Sequence, residues 1–263
     1  MRLPTPCRAA VVLLLAVPVG ASDLEAVKAR GSLRVLAVDL KEPDEFFQFK
    51  GNPGFDREIL EGFATLHRVR LEPVAIAAWD DLVPALLADR GDLVAGRFTV
   101  TEERRRRIAF TRETFPTRNV VLTRKPTPPV TSLEALRALR VGTVRGSSMA
   151  EAVARAGVPE ANVDDTIRPG GLPSALAAGK VKAIVLGVEY AVVARRDDPQ
   201  IEIGMFVGPP GSLAYGLRKE DAALLAALDA YIENLRRTAT WNRLVLKYFG
   251  ESAPEVLRKA RQE

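Results

Sequence analysis

Apolar positions along the chain fall into two alternating rhythms. Leu33-Arg34-Val35-Leu36-Ala37-Val38, Val69 to Ile76 and Asp92-Leu93-Val94-Ala95-Gly96 are short apolar runs that read as strands. Around them the spacing changes to helical. Asp23 to Gly31 is a short amphipathic helix closed by glycine. Phe55 to His67 carries Ile59, Leu60, Phe63 and Leu66 on one face, and Trp79 to Arg90 carries Leu82, Leu86 and Leu87 with Gly91 after its end. Two strand–helix units and a third strand predict a parallel sheet covered by helices. The loop Asp39 to Pro53 inserts phenylalanines at 46, 47 and 49.

The rhythm then breaks and restarts. Asn119 to Thr123 is extended, and Arg124-Lys125-Pro126-Thr127-Pro128-Pro129 interrupts it as a linker. Thr131-Ser132-Leu133-Glu134 has capping-box form, Leu139 to Val144 is a strand, and Ser148-Met149-Ala150-Glu151 is a second capping box opening a helix to Gly157. A weak strand over Asn162 to Ile167, a helix from Gly170 to Gly179 and a buried strand Ala183-Ile184-Val185-Leu186 follow. Val188 to Arg195 is helical and Ile201 to Ile203 is a short extended piece. Gly208-Pro209-Pro210-Gly211 is a second break. Leu213 to Leu217 is extended, and helices over Asp221 to Arg236 and Trp241 to Phe249 end the pattern, with a surface or frayed tail over Glu251 to Glu263. Two breaks bracketing a smaller α/β unit predict two lobes, 23–123 with 208–263 and 124–207. The chain then crosses twice between lobes, with a cleft where a ligand sits.

The first 22 residues read differently. Arg2 and Arg8 make a basic leader, Ala9 to Val19 is a short apolar run, and Val19-Gly20-Ala21 supplies small residues before a cut at Ser22 or Asp23. This predicts a cleaved secretory signal peptide and a product outside the cytoplasmic membrane, in the periplasm. Cys7 is the chain's one cysteine and leaves with the signal, so thiol and disulfide chemistry are not expected of the mature chain. The formal charge is +5, two of it in the leader; without a clustered patch it does not point to nucleic acid.

Candidate chemistry narrows the class further. His67 is the one histidine and falls at a predicted helix end, so neither a metal site nor a Ser-His-Asp triad is expected. Asp80-Asp81 and Asp164-Asp165 are adjacent pairs whose side chains diverge, which makes them solvated surface and not an acid/base couple. No phosphate loop or dinucleotide fingerprint is present, and no cofactor is expected. What remains is anion binding. Thr99 and Thr101 stand at the end of the third strand, and Arg104 lies one helical turn beyond Thr101, where it can turn back as a carboxylate clamp. Arg105 to Arg107 read as a solvated basic face. The turn Gly142-Thr143-Val144-Arg145-Gly146-Ser147-Ser148 runs from a strand to a helix N-terminus, where free N–H groups and a serine hydroxyl also suit an anion.

Taken together, Leu33-Arg34-Val35, Gly54-Phe55-Asp56, Trp79-Asp80-Asp81-Leu82-Val83-Pro84-Ala85-Leu86, Gly91-Asp92-Leu93, Thr101-Glu102-Glu103-Arg104 with Phe110, Val141-Gly142 with Gly146-Ser147-Ser148, Ala175-Leu176 with Gly179, Tyr215-Gly216 and Lys247-Tyr248-Phe249-Gly250 form an ordered set. In this order the chain resembles the family 3 periplasmic solute-binding proteins that feed polar amino-acid ABC transporters. The resemblance implies the two-lobed, type II periplasmic binding protein fold, with both chain ends in the first lobe. It implies a monomer that captures a small-molecule ligand and hands it to a membrane permease. By the family's pattern Arg104 grips the ligand α-carboxylate, Thr99 helps hold it, and Ser147 and Ser148 complete the carboxylate site.

The amine half of the family's site departs from that pattern. The aspartate that binds an α-amino group is replaced by Gly187, and Glu189 stands two residues on. In the first loop Asp44 falls where a stacking aromatic belongs, with Phe46 and Phe47 as the aromatic substitutes. Gly187 alone implies a carboxylate ligand without a neighbouring amine; Glu189 or Asp44 replacing the missing acid is the alternative. Two further readings stay open: a cyclohexadienyl dehydratase-like enzyme in the same cleft, and a cell-wall-associated module, since the same fold is fused to murein lyases. The chain's end soon after Gly250 and the lack of a placed catalytic acid favour a binding protein over an enzyme.

Overall fold

The computed structural model describes residues 23–40 and 44–251, together with 254, 258 and 261. The segment that reads as a signal peptide and most of the tail lie outside these described residues. Among the described residues, ten strands form two five-stranded sheets. The first contains β1 (Ser32–Val38), β2 (Arg70–Ile76), β3 (Leu93–Val94), β4 (Ala109–Phe110) and β10 (Gly216–Leu217), in the order β2-β1-β3-β10-β4. The second contains β5 (Phe115–Arg124), β6 (Val141–Gly142), β7 (Val163–Asp164), β8 (Ala183–Gly187) and β9 (Ile201–Leu213), in the order β7-β6-β8-β5-β9. β1 pairs parallel to β2 and β3, and β6 parallel to β7 and β8; β10 and β5 run antiparallel to their neighbours. This is the mixed α/β, two-lobed arrangement with a parallel centre in each sheet.

Both chain ends build the first lobe. Helices Phe55–Leu66, Ala222–Arg237 and Thr240–Phe249 bury Ile59, Leu60, Phe63, Leu224, Leu228, Ile232 and Val245 in one cluster with β1. Asp23 of the opening helix accepts hydrogen bonds from the Ala223 and Leu224 N–H groups, tying the two ends together through the free donors of a helix start.

Sheet membership moves the predicted lobe boundaries. Phe115–Arg124 pairs along its length with β8 and β9, so a boundary between Thr123 and Arg124 would cut a strand of the second sheet. The expected short piece over Ile201 to Ile203 extends to thirteen residues, and Gly208-Pro209-Pro210-Gly211 lies inside it instead of ending a lobe. The reason is position: β9 is an edge strand, where a proline's missing N–H faces no partner. The register also shifts between Thr117 and Asn119, opposite these prolines. The chain therefore crosses between the sheets at 111–114 and 214–215. A buried cluster continues across this junction, joining Leu36 and Val94 of one sheet to Val120 and Ile184 of the other.

Candidate functional site

The first side of the cleft is the segment after β3. Thr101 caps helix Glu102–Arg107 by accepting from the Arg104 N–H at 3.3 Å. Arg104 turns inward and is only 7% exposed, while Arg105, Arg106 and Arg107 are exposed. Its Nη1 donates to the Thr99 carbonyl at 2.7 Å, its Nη2 to the Gly146 carbonyl of the other lobe at 3.0 Å, and its guanidinium lies 4.2 Å from the Phe98 ring centre. Burial lowers its pKa to about 10, against the pull of Glu151 and Glu103, so it stays cationic at neutral pH. Among the described residues no carboxylate forms an ion pair with it.

The second lobe presents the turn before helix Ser148–Arg155. The capping hydroxyl is Ser147 and not Ser148: Ser147 Oγ accepts from the Ala150 N–H at 3.2 Å and donates to the Val144 carbonyl at 2.6 Å. Register decides this, because Ser148 already has helical geometry and its hydroxyl is free to donate across the cleft to Thr99 Oγ1 at 3.0 Å. Thr99, Arg104, Ser147 and Ser148 are thus brought to one place, beside a helix start that favours an anion.

The opposite pole carries an acid. Gly187 ends β8, paired with Asn119 of β5. Helix Val188–Asp197 then turns Glu189 back over it. A Cβ built on Gly187 would collide with Glu189 Oε1 and stand 2.8 Å from Oε2, so this carboxyl group fills the space a side chain at 187 would need. Glu189 is 7% exposed, and its Oε2 accepts from the Thr117 hydroxyl at 2.8 Å. Burial raises its pKa, while a backbone N–H, Thr117 and the charge of Arg97 pull it back down. The expectation that Gly187 leaves the amine side without an acid is therefore corrected: the glycine makes room for Glu189.

The first-loop residues have other duties. Asp44 is buried and accepts from the Phe46 and Phe47 N–H groups at 3.2 and 3.3 Å, bonds the Tyr190 hydroxyl, and faces Arg97 Nε at 3.5 Å. Phe46 and Phe47 do not line the cleft. Phe46 packs among Phe55, Phe115 and Phe249, and Phe47 against Phe49, because the Asp44 turn points both rings into the first-lobe core. The aromatic wall of the site is Trp79 instead, and Tyr190 lines the space next to it. Arg97 lies over Tyr190 at 4.0 Å and Trp79 at 5.8 Å. Thr117, Asn119, Met149 and Arg97 are lining residues the sequence did not single out; only Arg97, two positions before Thr99, carried a signal.

Arg104, Thr99, Ser147, Ser148, Gly187 and Glu189 line one cavity together with Trp79, Arg97, Thr117 and Asn119. A guanidinium and a carboxyl group face one space. Among the described residues no group of three or more His, Cys, Asp or Glu side chains stands ready for a metal ion, and no helix is long and apolar enough to cross a membrane.

Residues 33–251 match the pattern of the bacterial extracellular solute-binding proteins, family 3. The chain is 30% identical over 240 residues to a membrane-bound lytic murein transglycosylase F of Stutzerimonas stutzeri, covering 87% of this chain and 48% of that relative, about half its length. It is 26% identical over 216 residues to the lysine/arginine/ornithine-binding periplasmic protein of Escherichia coli, covering 74% of this chain and 78% of that one. A crystal structure of a mutant of ArgBP from T. maritima superposes with a TM-score of 0.77 at 26% identity, covering 87% of this chain and all of that one.

Proposed function

The chain belongs to the bacterial extracellular solute-binding proteins, family 3, and from that premise we propose that it captures a small zwitterionic α-amino acid between its lobes, by binding and not by turnover, on the outer side of the cytoplasmic membrane for delivery to an ABC permease. The observation that carries this reading is the buried Arg104 guanidinium and the buried Glu189 carboxyl group facing one cavity, neither of them in an ion pair among the described residues. A charge held away from water costs several kcal/mol unless it is compensated. A ligand carboxylate at Arg104, Thr99, Ser148 and the helix start, with an ammonium at Glu189 and Thr117, compensates both at once. A carboxylate without an amine compensates only one, so Glu189 reverses the ligand preference that Gly187 alone implies.

The test is calorimetric titration of α-amino acids and their α-keto analogues. The amino acid is expected to bind at least tenfold tighter, Arg104→Ala to cost about 2–5 kcal/mol, the range for unpairing a desolvated charge, and Glu189→Gln to narrow the preference over the analogue. Equal binding of the keto acid, or an unaffected Arg104→Ala variant, overturns the reading. The likeness to a murein transglycosylase over half of that relative favours one second reading, an accessory module that takes a cell-wall peptide end by the same two poles. Muropeptides in the same titration separate the two, since that reading expects them to outbind every free amino acid.

A further inference from the structure

Beside the charged cavity lies a second one, which shares Trp79, Arg97 and Met149 with the first. Its walls come from both lobes. Leu40 belongs to the first and Leu172, Leu186 and Tyr190 to the second, and all but Tyr190 are buried. At one end the lobes nearly touch: a Cβ on Gly170 would stand 2.9 Å from the Leu40 carbonyl. At the other end the annex opens past Arg97 towards Glu189 and Arg104.

Arg97 stands at this doorway. Its guanidinium lies over the Tyr190 ring at 4.0 Å, and its buried Nε–H has no hydrogen-bond partner among the described residues. The acid that faces it, Asp44 at 3.5 Å, is already engaged by two backbone N–H groups and the Tyr190 hydroxyl. A cationic ligand side chain would lose its hydration beside an Arg97–Asp44 pair that already offsets itself, with no acid among the described residues that line the annex. An anionic side chain would lose its hydration likewise, with Arg97 already engaged by Asp44. An uncharged apolar side chain meets neither cost and gains the burial of its own surface against Leu40, Leu172 and Leu186.

We propose that this annex is the side-chain pocket of the ligand and that Arg97 closes it to charged side chains, so that the ligand class is the α-amino acids with bulky apolar or aromatic side chains. The assignment rests on the amino-acid reading of the charged poles.

The test is a titration series on the wild-type protein with phenylalanine, leucine, alanine, lysine, arginine and glutamate. Phenylalanine and leucine are expected to bind at least tenfold tighter than alanine, whose side chain leaves the annex empty, and at least tenfold tighter than the three charged ligands. Lysine, arginine or glutamate binding as tightly as leucine, or alanine matching it, overturns the annex assignment and leaves the amino-acid reading standing. No binding by any of the six overturns both. In Arg97→Met the cation is gone and Asp44 is released to a ligand ammonium, so the gap between leucine and lysine should shrink tenfold or more. A gap unchanged in a folded Arg97→Met protein overturns the gating role of Arg97; the wild-type series decides the pocket whether or not that variant folds.

Discussion

Glycine at 187 and glutamate at 189 act as one unit. The backbone at Gly187 is extended, at φ −63° and ψ 144°, so any residue can adopt it; what a side chain lacks there is space, because the Glu189 carboxylate occupies it. Gly187→Ala should therefore displace Glu189, cost about 1–3 kcal/mol of stability as overpacking does, and weaken amino-acid binding. Gly187→Asp combined with Glu189→Ala should bind better than either single variant, by moving the acid back along the chain; calorimetry on the three proteins checks it. A second residue-scale prediction concerns Asp56. Its Oδ2 accepts from the Gly96 and Arg97 N–H groups and its Oδ1 accepts from the Tyr215 hydroxyl at 3.3 Å. Burial pushes its pKa up to about 7 from an ordinary value near 3.8. The folded protein then holds a proton that the unfolded chain has released, so this group's contribution falls as pH rises from about 4 to about 7, at no more than about 1.4 kcal/mol per unit. Urea unfolding across that range should show the decline in wild type relative to Asp56→Asn, and parallel curves would refute it.

At the scale of elements, helix starts place the anion pole. Thr101 caps one short helix in the first lobe and Ser147 caps another in the second, and each cap sets the backbone from which Arg104 or Ser148 projects. Neighbouring serines thus have separable jobs. Ser147→Ala should lose about 1 kcal/mol of stability, the usual worth of a cap. Ser148→Ala should leave the cap intact and lose less, while weakening ligand binding through the lost Ser148–Thr99 bridge. Denaturant unfolding beside titration distinguishes them; a larger stability loss for Ser148→Ala would mean the cap has been assigned to the wrong residue.

At the scale of the whole molecule, the cleft is shut by close approach of the lobes. Arg104 reaches Gly146, Ser148 reaches Thr99, and a Cβ on Gly146 would lie 2.6 Å from Asp80 Cβ and 2.7 Å from the Asp80 nitrogen. Gly146 has φ +71°, a left-handed backbone that costs other residues energy, so Gly146→Ala is both strained and in collision across the cleft. Gly179→Ala is the control, with the same backbone strain at φ +70° and nothing within 4 Å of the new Cβ. Small-angle scattering with saturating ligand should find Gly146→Ala more expanded than wild type and Gly179→Ala as compact as wild type. Affinity should fall tenfold or more only in the first. Equal compaction of both variants would show that closure does not need the Gly146 contact.

Local pattern was enough to fix much of this protein. Period and punctuation place the strands at Ser32–Val38 and Ala183–Gly187 and the helices at Phe55–Leu66 and Ala222–Arg237, because each depends on its own run of side chains. The Thr101–Arg104 spacing likewise puts the guanidinium at a strand end, since a cap and the residue one turn on share a helix start. Other features depend on partners far away in sequence. Whether Gly208-Pro209-Pro210-Gly211 ends a lobe or lies in a strand is decided by β5, nearly a hundred residues earlier, which pairs beside an edge where prolines cost nothing. Whether Phe46 faces a ligand or the core is decided by how the Asp44 turn meets Phe115 and Phe249. Whether a glycine at 187 removes an acid or admits one is decided by a helix turning back over its own strand. Side-chain chemistry is written residue by residue; which charges share one desolvated space is a property of the packed chain alone.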